Sequence, residues 1–164
     1  MQQLVINRII RKLNMKKHPE GGYFSETYRC SKTVSLGSDN IIIRNLATSI
    51  YFMLVSGQVS KFHRLKSDEI WYHHSGSPLK VYMIDKNCNM QIVNLGDINE
   101  HDSQPQLIIP EGTIFGAEVI LPEKYSLIGC AVMPGFDFED FELITKNELG
   151  FIIPNNKDII KRLT

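Results

Sequence analysis

The chain reads as an all-β domain, a sandwich or barrel with short helices at its ends. Three observations predict this. Short apolar runs of strand length follow one another from Tyr23 onward. Turn-forming segments, SLGSDN, SGSP, DKNCN, PEG and LPEK, separate them. Helical periodicity is confined to the two termini.

Leu4, Val5, Ile9, Ile10 and Leu13 recur at helical spacing, which predicts an amphipathic helix over residues 3–14. His18-Pro19-Glu20-Gly21-Gly22 then breaks it. Strands are expected at 23–30, 41–55, 60–65, 69–74, 79–85, 90–95, 106–109, 114–120 and 125–133. The tail, 155–163, reads as helical with Asn155 or Asn156 as N-cap. The sequence shows no repeat, low-complexity stretch or linker, so residues 1–164 read as one domain.

Composition narrows the function classes. The chain has 164 residues, enough for one sizeable core, and 43% are hydrophobic, too many for disorder. Lysine plus arginine equals aspartate plus glutamate, 18 each, so no net field favours nucleic acid or an anionic membrane. No stretch is apolar enough to span a bilayer, and MQQLVINRIIRKLNMKK lacks the apolar core of a signal peptide. Cys30, Cys88 and Cys130 are odd in number and widely spaced, fitting neither a disulfide framework nor a zinc site. A reduced, cytoplasmic protein is the simplest expectation.

The segment Gly57–Gly76, GQVSKFHRLKSDEIWYHHSG, carries the most chemistry. It spaces Gly57, His63, Leu65, Glu69 and Gly76 in a way that resembles the first motif of the cupin superfamily, Gly-x5-His-x-His-x3/4-Glu-x6-Gly, with Leu65 at the second His. Pro110-Glu111-Gly112-Thr113-Ile114-Phe115 resembles the second motif, Pro-x-Gly-x2-His, with Phe115 at the His. HPEGGYFSETYR (18–29), TSIYFML (48–54), FHRLKSDEIWYHHSGSPL (62–79), PQLIIPEGTIFGAEV (105–119) and SLIGCAVMPGFDFEDFEL (126–143) together resemble one cupin family, Cupin-5, a domain of unknown function. The resemblance implies a jelly-roll β-barrel, usually dimeric, with a pocket at one end and no established activity.

Metal cupins converge two His, a Glu and a further His on one ion, and imidazole with carboxylate suits a divalent transition metal. Leu65 and Phe115 remove two of those positions. No cofactor is therefore expected; a weak divalent metal would have to use His63, Glu69 and a displaced His74. Strand parity puts Glu69, Trp71 and His73 on one face and Tyr72 and His74 on the other, so His74 reaches the pocket only through a bulge or the bend at Ser75-Gly76. The parity of His73 and His74 stays open. His18 and His101 lie in polar loops and are expected to be exposed.

His63 and Glu69 are the candidate catalytic residues, since imidazole titrates near neutrality and suits proton transfer. Strand alternation groups Phe24, Glu26 and Tyr28 on one face, against Tyr23, Ser25, Thr27 and Arg29. Glu26 then pairs with Arg44 or Arg64, faces a ligand, or points outward at a dimer interface. Ser49 and Tyr51 share a face, and Tyr51 could give a ligand its hydroxyl. Trp71 and Phe115 are expected as apolar or stacking walls, and Glu118 as a possible second carboxylate. Asp137–Glu142 reads as a solvated strand edge with buried aromatics, and Cys130 as an inert core residue.

The leading expectation is a pocket that binds a polar or sugar-like metabolite and acts on it by acid–base chemistry, isomerase- or epimerase-like. The alternatives are a metal-dependent oxygenase or isomerase with a reduced ligand set, and a non-catalytic metabolite-binding or sensor module. The expected partners are a small-molecule ligand and a second copy of the chain, with no nucleic acid and no membrane.

Overall fold

The computed structural model describes residues 2–122 and 124–164. Its frame is a pair of six-stranded sheets. The first is ordered β1 (Lys16–Lys17), β2 (Tyr23–Arg29), β5 (Thr48–Val55), β13 (Tyr125–Met133), β7 (Asp68–Gly76) and β11 (Gln106–Ile109). The second is ordered β10 (Ser103–Gln104), β9 (Met90–Leu95), β8 (Leu79–Ile84), β12 (Ile114–Val119), β6 (Val59–Leu65) and β14 (Phe141–Leu143). β3 (Thr33–Leu36) and β4 (Ile42–Asn45) form a separate hairpin.

The inner faces of the two sheets share one core. Phe52, Trp71, Leu107, Ile109 and Ile128 of the first sheet pack with Val81, Met83, Leu95, Phe115 and Ala117 of the second. Alternation along each strand supplies these residues. Helix α1 (Gln2–Lys12) covers the outer face of the first sheet, where Ile6 and Met15 bury against Met53 with Ile9, Ile10, Tyr51 and Leu127 alongside. Helices α2 (Lys146–Ile152) and α3 (Lys157–Arg162) cover the outer face of the second, placing Leu149, Ile153, Ile160 and Leu163 on Phe62, Tyr82 and Ile114.

Most expected elements appear with ends shifted by a residue or two. The run 41–55 instead divides at Leu46-Ala47. Leu46 N donates to Lys32 O and Cys30 N donates to Ala47 O, so residues 42–45 leave the sheet and pair with 33–36. The stretch expected as a strand edge near 137–142 is a 3-10 turn, Phe138–Asp140, capped by Asp137, and only then a short strand. Helix α2 was not expected, yet its signature is local: Thr145 and Glu148 form a reciprocal capping box. Asn156 does stand at the N-cap of α3, but its side chain makes no capping bond.

Three bulges decide which side chains face inward. In β2 the register against β5 slips between Glu26 and Tyr28, leaving Thr27 as the extra residue. In β7 the register against β13 slips so that His73 meets Ile128 and Ser75 meets Leu127, with His74 extra. In β6 the register against β12 slips between His63 and Ser60.

Candidate functional site

A cavity of about 400 Å³ opens between the sheets beside β2 and β5. His63, Leu65, Glu69, Trp71 and Cys130 line its deep end, and all five are buried. Lys16, Glu26, Arg29 and Phe138 line the outer end and are exposed. Phe24, Phe52, Phe136 and Phe141 complete an aromatic wall.

Glu20 is the centre of the polar cluster. Gly21 and Gly22 have φ of +119° and +69°, and a Cβ on Gly21 would collide with the Val59 carbonyl oxygen. That close approach carries Glu20 inward, where it is 6% exposed. Ser60 Oγ donates to Glu20 Oε1 at 2.8 Å. Glu20 Oε2 lies 3.2 Å from His63 Nε2 and 3.3 Å from His18 Nδ1. The β6 bulge is why Ser60 and His63, three residues apart, both face inward. Burial pushes the Glu20 carboxyl up, but the His63 charge, contacts from His18 and the Ser60 hydrogen bond outweigh it and hold the group below its usual range.

His63 Nδ1 lies 2.7 Å from the Lys61 carbonyl oxygen. A carbonyl only accepts, so Nδ1 donates to it, and Nε2 faces the Glu20 carboxylate, which is likewise an acceptor. The His63 ring is backed by Phe115, with centroids 4.1 Å apart. His18 sits among aromatics, edge-on to Phe24 at 4.7 Å and to Phe141 at 5.9 Å and stacked on Phe138 at 6.4 Å.

Glu69 lies in the same cavity with the opposite tendency. Burial, reinforced by the Glu20 charge, pushes its pKa up to about 8. Interactions with Trp71 and Cys130 pull the other way and lose. The Trp71 contact falls short of a hydrogen bond, for the buried indole Nε1 has no hydrogen-bond partner among the described residues. At neutral pH one cavity thus holds a carboxylate, Glu20, and a carboxylic acid, Glu69. Burial, then Glu69 and Glu20, also push the Cys130 thiol well above its usual value, so it stays protonated.

The structure sorts the sequence candidates. His63, Glu69, Trp71 and Glu26 line the cavity. Glu26 pairs with Arg29, at 2.7 Å and 3.0 Å, rather than with Arg44 or Arg64. Strict alternation placed Arg29 opposite Glu26; the Thr27 bulge brings both to the cavity and turns Tyr28 out, 54% exposed. Ser49 and Tyr51 lie on the other face of β5, where Tyr51 packs with the α1 cluster. His74 also lies outside the cavity: it is the bulged residue of β7, meeting the Tyr51 ring at 5.7 Å above the bare Cα of Gly129. His73 stays half-buried, away from the lining residues. Phe115 stands behind His63 rather than on the wall. Glu118 belongs to the outer face of the second sheet, accepting from Tyr82 at 2.7 Å and Arg162 at 3.0 Å.

His18 and Glu20 were missed. His18 was expected in an exposed loop, but its side chain is 7% exposed. The available signal was the pair of glycines after Glu20, which permits a tight approach to the sheet. His101 is exposed as expected.

A metal fits this donor set poorly. His63, Glu69 and His74 do not converge, because His74 is on the outer face. Leu65 is buried where a donor would stand, and Glu20 already occupies the His63 Nε2 side. Among the described residues, no group of three His, Cys, Asp or Glu side chains could hold an ion.

A model of the family described as Cupin superfamily (DUF985) matches residues 7–144. The chain belongs to that family. A hypothetical protein from Leishmania major is 34% identical, with a TM-score of 0.87 over 96% of this cupin and 97% of its own chain. An uncharacterized Saccharomyces cerevisiae protein is 28% identical over 93% of this chain and 82% of its own. Oxalate decarboxylase from Bacillus subtilis, 15% identical, has a TM-score of 0.58 over 90% of this chain and 37% of its own, a likeness of fold alone. No helix among the described residues is long and apolar enough to cross a membrane.

Proposed function

We propose that this cupin binds a small polar, sugar-like metabolite in the cavity and moves a proton on it, as an isomerase or epimerase does. One observation carries the reading: two buried carboxyl groups share the cavity, Glu20 held ionised and Glu69 held protonated. Environments that push paired groups apart assign acid and base.

Glu69 is the proton donor. The ionised Glu20 carboxylate is the acceptor, and His63 Nε2, 3.2 Å from it, holds it in place and stabilises its charge. His18 is a second imidazole on the same carboxylate. Arg29 and Glu26 offer a donor and an acceptor at the outer end, and Trp71 with the Phe wall suits the apolar face of a sugar ring. We also propose a homodimer. The β3–β4 hairpin leaves Ile41 and Ile43 66% and 61% exposed, an apolar edge that a second copy would cover.

Deuterium exchange tests the chemistry without knowledge of the natural substrate. A panel of aldoses and ketoses is incubated with the protein in D2O and read by proton NMR. Stereospecific loss of one C–H signal is expected, slowed at least about 100-fold in His63→Ala and in Glu69→Gln. A ligand that binds without any exchange would reduce the protein to a binding module.

A further inference from the structure

Trp71 Nε1 is a donor that completes no hydrogen bond among the described residues. The residue is 1% exposed, its ring lines the deep end of the cavity, and its contact with the Glu69 carboxyl falls short of a bond. A buried N–H left unpaired is costly, so its position points to an acceptor supplied by a ligand. The ring is held against adjustment: Phe115 meets it edge-on at 5.7 Å and Phe52 lies tilted at 6.3 Å.

The surroundings limit the acceptor. Glu69, two residues along the same face, presents a carboxylic acid at neutral pH, which is a second donor. Glu20 places a buried negative charge in the same cavity, so a ligand carboxylate or phosphate would be repelled at the deep end. A hydroxyl oxygen could accept both donors but would bring a proton needing its own acceptor. A carbonyl oxygen brings none and has two lone pairs.

We propose that the Trp71 indole N–H and the Glu69 carboxyl together hold the carbonyl oxygen of an open-chain α-hydroxy aldehyde or ketone. This rests on the acid–base reading above and names its substrate class. The Glu20 carboxylate, held by His63 Nε2, takes the proton from the carbon beside the carbonyl. The C–H electron pair becomes the C=C bond of an enediol, and the carbonyl oxygen takes the Glu69 proton. The deprotonated Glu69 then takes the proton of the adjacent hydroxyl as that oxygen becomes the new carbonyl, and the protonated Glu20 returns its proton to the former carbonyl carbon. No oxidant or further reactant is needed. As negative charge builds on the oxygen, the Trp71 N–H bond strengthens, which makes Trp71 a transition-state donor.

The chain has one tryptophan, so an amide nitrogen–proton correlation spectrum contains one indole cross-peak. The probes are hydroxyacetone, its alcohol analogue 1,2-propanediol, and glycolohydroxamate as a planar enediolate mimic. Hydroxyacetone and the hydroxamate are expected to move the indole proton downfield, and the diol to leave it in place. Trp71→Phe, which keeps a ring and deletes the N–H, is expected to weaken hydroxamate binding about tenfold. A probe that shifts other cavity resonances while the indole peak stays fixed overturns the proposal, and so does a panel in which no probe binds. A downfield indole shift without deuterium exchange overturns the acid–base reaction and leaves carbonyl recognition standing. Exchange with an immobile indole peak does the reverse.

Discussion

At the scale of single residues, the cavity turns on the unequal treatment of two carboxyl groups. Glu69 is raised to about 8 from an ordinary 4.5. The folded protein therefore holds a proton that the unfolded chain releases between those values. Its contribution to stability is intact below pH 4.5 and is lost as pH rises toward 8, with an upper bound of about 5 kcal/mol. Glu69→Gln should remove that slope, so urea denaturation at pH 5 and pH 8 should give nearly equal stabilities for the variant and a lower value at pH 8 for the parent. Equal parent stabilities would contradict a buried, protonated Glu69. The Glu20 charge is the second cause of the shift. Glu20→Gln should consequently bring the Glu69 pKa down, read as a lower carbon-13 titration midpoint for Glu69 in that variant.

At the scale of elements, bulges and one latch shape the cavity. The Thr27 bulge delivers Arg29, whose Nη1 donates to the Phe136 carbonyl at 3.1 Å and to Asn45 at 2.9 Å. Arg44 of the hairpin reaches Asp140 at 2.6 Å and Glu139 at 3.0 Å. These bonds hold the segment that carries Phe136, Phe138 and Phe141 over the cavity. Arg44 and Asp140 are each 9% exposed, and without Arg44 the Asp140 carboxylate keeps only Lys66 Nζ, at 3.6 Å. Arg44→Ala should cost about 3 kcal/mol in chemical denaturation and weaken ligand binding as the aromatic wall loosens. A loss under 1 kcal/mol would show that the latch is not rigid.

Resemblance to the first cupin motif made His63 and Glu69 legible from sequence, and alternation along β7 carried the inward face from Glu69 to Trp71. Tyr28, Arg29, Ser49, Tyr51, Glu118 and His74 were not. The Thr27 bulge, invisible to a period of two, inverted the faces at Tyr28 and Arg29. His74 lies on the face that alternation gives it, opposite Glu69, and the β7 bulge does not bring it to the cavity. For Ser49, Tyr51 and Glu118, nothing local distinguishes a face turned to a helix from one turned to a cavity. His18 and Glu20 escaped for another reason: their inward course depends on a backbone approach between segments about 40 residues apart, Gly21 against Val59.

At the scale of the whole molecule, the two sheets supply the frame, and the cavity opens where they enclose polar residues. Leu65 and Phe115 stand at two positions where a metal-binding cupin has His. Elemental analysis of untagged protein purified without chelator should find well under one transition metal per chain; near one per chain, abolished by His63→Ala, would contradict the donor-set reading. Light scattering at micromolar concentration should give a dimer, and a monomer would remove the role proposed for the hairpin isoleucines. The claim on which the rest depends is that one cavity holds an ionised and a protonated carboxyl at neutral pH. Carbon-13 NMR of the glutamate side-chain carboxyls, assigned with Glu20→Gln and Glu69→Gln, follows both groups directly. The expected result is Glu69 titrating near pH 8 and Glu20 below the ordinary carboxyl range; two ordinary titrations near pH 4.5 would contradict it.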